Sequence, residues 1–127
     1  MTVRVLIVDD QEPFRLAARM VVELTDGFEV VGEAETGEDS VAMAQDLQPD
    51  LVLMDLQLPG IDGTETMRRL RQGVLADDVP VIALSALVMN QDHAAAQTAG
   101  FDGYLNKPIS VRSLPDQVAL FLPDEEP

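Results

Sequence analysis

The sequence predicts an α/β domain: a doubly wound, five-stranded parallel sheet in the order 2-1-3-4-5, a flavodoxin-like (βα)5 arrangement. Two observations predict it. Short β-rich apolar runs alternate with helical patterns along the whole chain, which argues for βαβ units and against hairpins. The first such run, Val3–Val8, is apolar at every position except Arg4, the pattern of a strand covered on both faces. The 127 residues suffice for one domain of ordinary size, with the folded unit spanning 1–122 and a short acidic tail, predicted to be disordered, at 123–127.

The remaining elements follow in order. Phe14, Leu16, Ala17, Met20, Val21 and Leu24 recur at helical spacing, and Thr25, Asp26 and Gly27 end that helix. A second short strand is predicted over 28–31. Thr36 with Asp39 has the form of a capping box and opens a helix through Leu47. Residues 50–55 read as a third strand, closed by Pro59-Gly60 and Asp62-Gly63, with a helix continuing to about Gln72. Residues 81–84 read as the fourth strand, and Pro80 is tolerable at its start. An alanine-rich helix over 90–99 stops at Gly100, Tyr104-Leu105 falls in the fifth strand, and 111–122 form the last helix, with Pro115 near its start. Met20, Met43, Met54 and Met67 occupy periodic apolar positions and are expected in the core.

Composition narrows the function classes. Eight basic residues against 23 acidic ones give a formal net charge of −15, a surface that repels nucleic-acid phosphates and anionic lipid. Partners with basic faces, or a site that concentrates a cation, suit it better. No apolar run approaches the ~20 residues of a membrane span, and the N-terminal run is too short for a signal peptide. With no cysteine there is neither a disulfide framework nor a thiolate metal site, and a cytoplasmic location is expected. The single lysine is Lys107, against seven arginines.

Polar residues fall repeatedly at the carboxyl ends of the apolar runs: Asp9 and Asp10 after the first, Asp55 after the third, Ser85 after the fourth, Lys107 after the fifth. In an open parallel sheet those ends share one edge, and ligands bind where the strand order reverses. For the order 2-1-3-4-5 the reversal lies between strands one and three, which gathers Asp9, Asp10 and Asp55. Three carboxylates in contact repel one another unless a cation joins them. Oxygen-only ligands at an accessible edge suit Mg²⁺, with Mn²⁺ a possible substitute. Such a group serves phosphoryl transfer, which is mostly positioning and charge neutralisation. Lys107 offers a second positive contact and the Ser85 hydroxyl a hydrogen bond, leaving Asp55 as the nucleophilic carboxylate.

The segments LIVDD, LVLMDLQLPGIDG, VIALSAL and GFDGYLNKP together resemble the four signature blocks of the CheY-like response-regulator receiver family, in its order and spacing. The resemblance runs essentially from Val3 to Leu122, and the stretch ending GYLNKPISV is closer to stand-alone or phosphorelay-type receivers. It implies Asp10 as a direct metal ligand, Asp9 as a ligand acting through water, Asp55 as phosphoacceptor and ligand, and the backbone carbonyl of Gln57 as a further ligand. It also implies Ser85 as the switch hydroxyl, Tyr104 as an aromatic that turns inward on activation, and Lys107 as the phosphate-binding lysine before Pro108. The implied donor is the phosphohistidine of a histidine kinase or a histidine phosphotransfer protein. Output would pass to a downstream protein through the face of the fourth helix, fifth strand and fifth helix, with the receiver a monomer or a phosphorylation-dependent dimer. The implied role is a switch that catalyses its own transfer and slow hydrolysis, not a metabolic enzyme.

Each residue alone has an ordinary alternative: Asp10 a helix N-cap, Asp55 a turn residue, Ser85 a cap, Lys107 a solvated loop lysine, Tyr104 a strand aromatic. What those readings do not explain is the convergence of five matched residues on one edge. A phosphohydrolase working through an aspartyl phosphate fits less well. Such enzymes usually carry Asp-x-Asp after the first strand, whereas the acids here are adjacent. A phosphorylation-independent interaction module would leave the intact set of acids unused. In the receiver family the positions two residues after the phosphoacceptor and the switch hydroxyl, here Gln57 and Leu87, tune dephosphorylation. Leu87 has no polar group to place the attacking water, so the phosphorylated form should be long-lived. Leu87→Glu is expected to accelerate autodephosphorylation, followed as decay of the phosphorylated protein by intact mass.

Overall fold

The strand β1 (Val3–Val8) has Val5, Leu6, Ile7 and Val8 fully buried, because strands flank it on both sides and side chains cover both of its faces. The computed structural model describes residues 2–55, 63–75, 79–85 and 101–106. In chain order these form β1, α1 (Glu12–Leu24), β2 (Phe28–Ala34), α2 (Gly37–Leu47), β3 (Leu51–Asp55), α3 (Gly63–Leu70), β4 (Val81–Ser85) and β5 (Gly103–Asn106). All strand pairs are parallel and the order is β2-β1-β3-β4-β5, as the sequence predicts. The expected helices at 90–99 and 111–122, and the acidic tail at 123–127, lie outside the described residues.

Alternation along the strands divides the core in two. Leu6, Val8, Val52, Met54, Val81 and Ala83 face one side with Ala44, Met67 and Leu70. Val5, Ile7, Leu51, Leu53, Ile82 and Leu84 face the other with Ala18 and Val22 of α1. α1 packs through only part of the periodic set that announces it, with Val21 partly buried against the core. Its buried positions are Arg15, Ala18 and Val22, while Leu16, Met20 and Leu24 are 49, 64 and 66% exposed. Met20 is therefore not a core residue, contrary to the sequence expectation. Met54 and Met67 are fully buried and Met43 is partly so. The helix is turned by the small Ala18, which lets it approach the sheet, and by the polar partners that Arg15 finds at the strand ends.

Two boundaries also differ. β2 runs on to Ala34 instead of stopping at Val31, and an extra residue enters its pairing with β1, where Val5 lies opposite Val30 but Leu6 opposite Gly32. This one-residue bulge at Val31 puts Gly32 beside Leu6, under α2. A Cβ on Gly32 would sit 2.8 Å from Leu47 Cδ1 and 3.2 Å from Leu6 Cδ1. The same bulge turns Glu33 to the α1 side, in register with Ile7. α3 ends at Leu70, two residues before the predicted stop, and passes into a turn.

Capping chemistry fixes the rest. Thr36 accepts from the Asp39 amide at 3.0 Å, the predicted cap of α2. Gln48 closes that helix in the left-handed region at φ 48°, its side-chain amide donating to the carbonyls of Ala44, Gln45 and Val74. At the edge opposite the acids, Asp50 accepts from the Arg4 amide at 3.0 Å and donates its own amide to the Arg4 carbonyl at 2.8 Å, a clasp between the starts of β1 and β3. Gly32→Val should lower unfolding stability by about 2 kcal/mol through overpacking against Leu47 and Leu6, measured by urea denaturation. Gly32→Ala should cost less, because the closest atom is the movable end of a leucine side chain.

Candidate metal and phosphoryl site

The register of the sheet delivers the acids. Val8 pairs with Met54, so the residues that follow, Asp9 and Asp55, emerge side by side where the chain order reverses. Carboxylate oxygens of Asp9, Asp10 and Asp55 lie within 4.8 Å of one another. Asp9 and Asp55 are 1 and 7% exposed, and Asp10 is exposed. The pocket thus has two carboxylates set into the protein and one at its mouth.

Asp9 is held at several atoms. Its amide donates to the Ala34 carbonyl at 3.0 Å, its Oδ1 accepts from the Gln11 amide at 2.9 Å, and its carbonyl accepts from Arg15 Nη1 at 2.8 Å. The N-cap of α1 is Gln11 and no side chain caps there, so the ordinary reading of Asp10 as a helix cap does not hold. Arg15 continues outward to Glu33 at 3.3 Å from Nε and to Glu35 at 3.1 Å from Nη2. Arg19 joins the same group through Glu23 and Glu33, whose hydrogen bonds push its guanidinium up from its ordinary pKa. Arg15 escaped notice in the sequence because it sits among apolar neighbours of a helix. The signal available was its spacing, three and seven residues before the small apolar Ala18 and Val22.

The backbone carries other expected members to the same edge. Asp55 pairs with Leu84, which brings Ser85 next along that edge, and Ser85 pairs with Asn106. Tyr104 is paired with Ala83 in β5. Gln57, Leu87 and Lys107 lie outside the described residues.

The donor set fits a hard divalent cation. It offers oxygen atoms only, of charge sufficient to replace part of a hydration shell, from buried and exposed sides of a shallow edge. This suits Mg²⁺, which retains several waters and takes few carboxylates, better than a cation requiring nitrogen or sulfur ligands.

The chain matches the family model for the response regulator receiver domain over residues 5–119. It is 33% identical over 118 residues to the response regulator protein VraR of Staphylococcus aureus, covering 93% of this chain and 56% of that one. The chain therefore spans about half the length of the curated relatives it matches. Among solved structures, a LuxR-family two-component response regulator from an Aurantimonas species superposes with a TM-score of 0.84 at 29% identity, over 95% of this chain and 86% of that one. The chemotaxis response regulator CheY4 of Vibrio cholerae superposes with a TM-score of 0.84 over 96% of this chain and 100% of that one, at 24% identity, a likeness of fold.

The crowded carboxylates carry a test of their own. Without divalent metal, Asp55→Asn should raise stability by on the order of 1 kcal/mol, since it removes one of three mutually repelling charges. With saturating Mg²⁺ the order should reverse, because the parent gains binding free energy and the variant gains less. Thermal unfolding with and without Mg²⁺ measures both.

Proposed function

Because the chain belongs to the response-regulator receiver family of two-component systems, we propose that it is a phosphorylation switch whose acceptor is Asp55. The observation that carries the proposal is the meeting of Asp9, Asp10 and Asp55 within 4.8 Å at the strand-order reversal. A buried carboxylate flanked by two others has a use when a cation and a phosphoryl group arrive together.

In this reading Asp10 and Asp55, with Asp9 through water and the carbonyl of Gln57, would hold Mg²⁺. The chemistry such an ion would supply there is neutralisation of charge on the transferred group. Asp55 attacks the phosphorus of a phosphohistidine on a sensor kinase or phosphotransfer protein. A new P–O bond forms as the P–N bond breaks, and the imidazole leaves with the electron pair. Lys107 supplies a positive contact to the phosphoryl oxygens, and the Ser85 hydroxyl donates to one of them. The step replaces about −1 by roughly −2 charge at Asp55 and adds acceptor oxygens. Drawing Ser85 toward them, with Tyr104 turning inward, would bias a two-state output surface of the fourth helix, fifth strand and fifth helix. Partners with basic faces suit the net charge of −15. A cytoplasmic location is part of the same proposal; among the described residues no helix is long and apolar enough to cross a membrane. The stand-alone or phosphorelay assignment rests on the stretch ending GYLNKPISV, most of which lies outside the described residues.

The test is incubation with Mg²⁺ and acetyl phosphate followed by intact mass. One phosphoryl adduct is expected, abolished by EDTA and by Asp55→Asn. Phosphate release without any adduct would favour the aspartyl-phosphate hydrolase, and an unchanged protein would favour a phosphorylation-independent module.

A further inference from the structure

We propose that Arg15 is a positioning residue for the metal pocket: by holding the Asp9 main chain it sets where the Asp9 and Asp10 carboxylates stand. This inference rests on the reading of the acidic group as a cation site.

Arg15 occupies the inward stripe of α1, in line with Ala18 and Val22, and is 9% exposed. A guanidinium there carries a desolvation cost that an apolar side chain of similar volume would avoid, so stability alone does not account for it. Its contacts show where it is applied. Nη1 donates to the Asp9 carbonyl at 2.8 Å in a buried hydrogen bond, while Nη2 and Nε are taken by Glu35 and Glu33 at the end of β2. The Asp9 carbonyl belongs to the peptide unit that joins Asp9 to Asp10. That unit is planar, so fixing its oxygen fixes the direction in which the chain enters Asp10. The preceding amide of Asp9 is fixed to Ala34, and the Asp9 carboxylate to the Gln11 amide. Arg15 therefore locks the peptide between two expected ligands, and Glu33 and Glu35 lock Arg15. The planar fork of arginine serves three acceptors in fixed directions, which the point charge of lysine does less well.

Electrostatics and positioning predict opposite signs. Arg15 is a cation close to a cation site, and removing it leaves Glu33 and Glu35 less neutralised. On Coulomb's law alone the pocket becomes more negative and should bind a divalent ion more tightly. If Arg15 positions the ligands, its removal should weaken binding despite the more favourable field. Outer partners that orient metal ligands are typically worth ten- to a hundredfold in affinity.

The experiment is Mg²⁺ titration of the whole chain by calorimetry, with thermal unfolding of the metal-free protein alongside. The parent is expected to bind one Mg²⁺. Arg15→Met, which keeps the bulk of the stem, should weaken that affinity about tenfold or more with little loss of thermal stability. Arg15→Lys, which keeps the charge and one donor, should lose less, and it carries the test should the methionine variant not fold. Unchanged or tighter Mg²⁺ binding in the folded variants overturns the inference, and so does a loss of stability with affinity intact, the mark of a merely structural role. A parent that binds no Mg²⁺ overturns the cation-site reading itself, and the inference with it.

Discussion

β1 and β3 are separated along the chain by one strand and two helices, yet they pair directly, from Val5 beside Leu51 to Val8 beside Met54. The acidic edge depends on that pairing. A right-handed crossover must return the chain to the far side of β1, and only then does Asp55 arrive beside Asp9. The pairing is secured at its start by the two hydrogen bonds between Arg4 and Asp50, and along its length by side chains with no exposure to water. An apolar strand pair of this kind has little freedom to slip, because a shift of one residue would turn each core side chain to the opposite face. The rigidity of the hydrophobic ladder is thereby transmitted to the carboxylates at its end.

Charge is managed locally around this edge. Each of the six arginines among the described residues donates to a protein oxygen, four of them to carboxylates near in sequence or across the α1–β2 contact. None of those six is held in reserve for an incoming phosphate. On the proposed reading, neutralising a phosphoryl group would fall to a metal at the acids and to cations from elsewhere in the chain, of which Lys107 follows β5 directly in sequence. The acidic balance of the whole molecule follows from the same division. The described arginines are absorbed by internal contacts, and the surplus carboxylates set the outward field.

Much of this was legible in the sequence because it depends on single residues at strand ends. Runs of four to six residues locate the first four strands and the shorter Tyr104-Leu105 the fifth, and the reversal rule for a doubly wound sheet gathers Asp9, Asp10 and Asp55. What the sequence concealed depends on rotation and register. Leu16, Met20 and Leu24 announce α1 by their type, but the helix packs through Ala18 and Val22, whose small size permits the close approach. The buried place of Arg15 depends on Glu33 and Glu35, which meet its guanidinium only once β2 lies beside β1. The roles assigned to Gln57 and Lys107 rest on motif resemblance, since both lie outside the described residues, and that of Tyr104 rests on the resemblance and on its place in β5.

The bulge at Val31 has a consequence for how this chain can change. In a strand, the face that a residue occupies is a matter of odd and even, and one extra residue reverses the parity of all that follows. Here the reversal sends Glu33 to the arginines of α1 and lets Gly32 pass beneath Leu47. Deleting Val31 would straighten β2 and leave Gly32 opposite Leu6 and Glu33 opposite Ile7, as they stand now. Flattening the bulge with Val31 kept would instead offer the Glu33 carboxylate to the apolar layer under α2 and leave Arg15 without its inner partner. The same distribution of charge between the two sides of the sheet can thus be kept in two ways, by a bulged strand with the extra residue or by a regular strand one residue shorter.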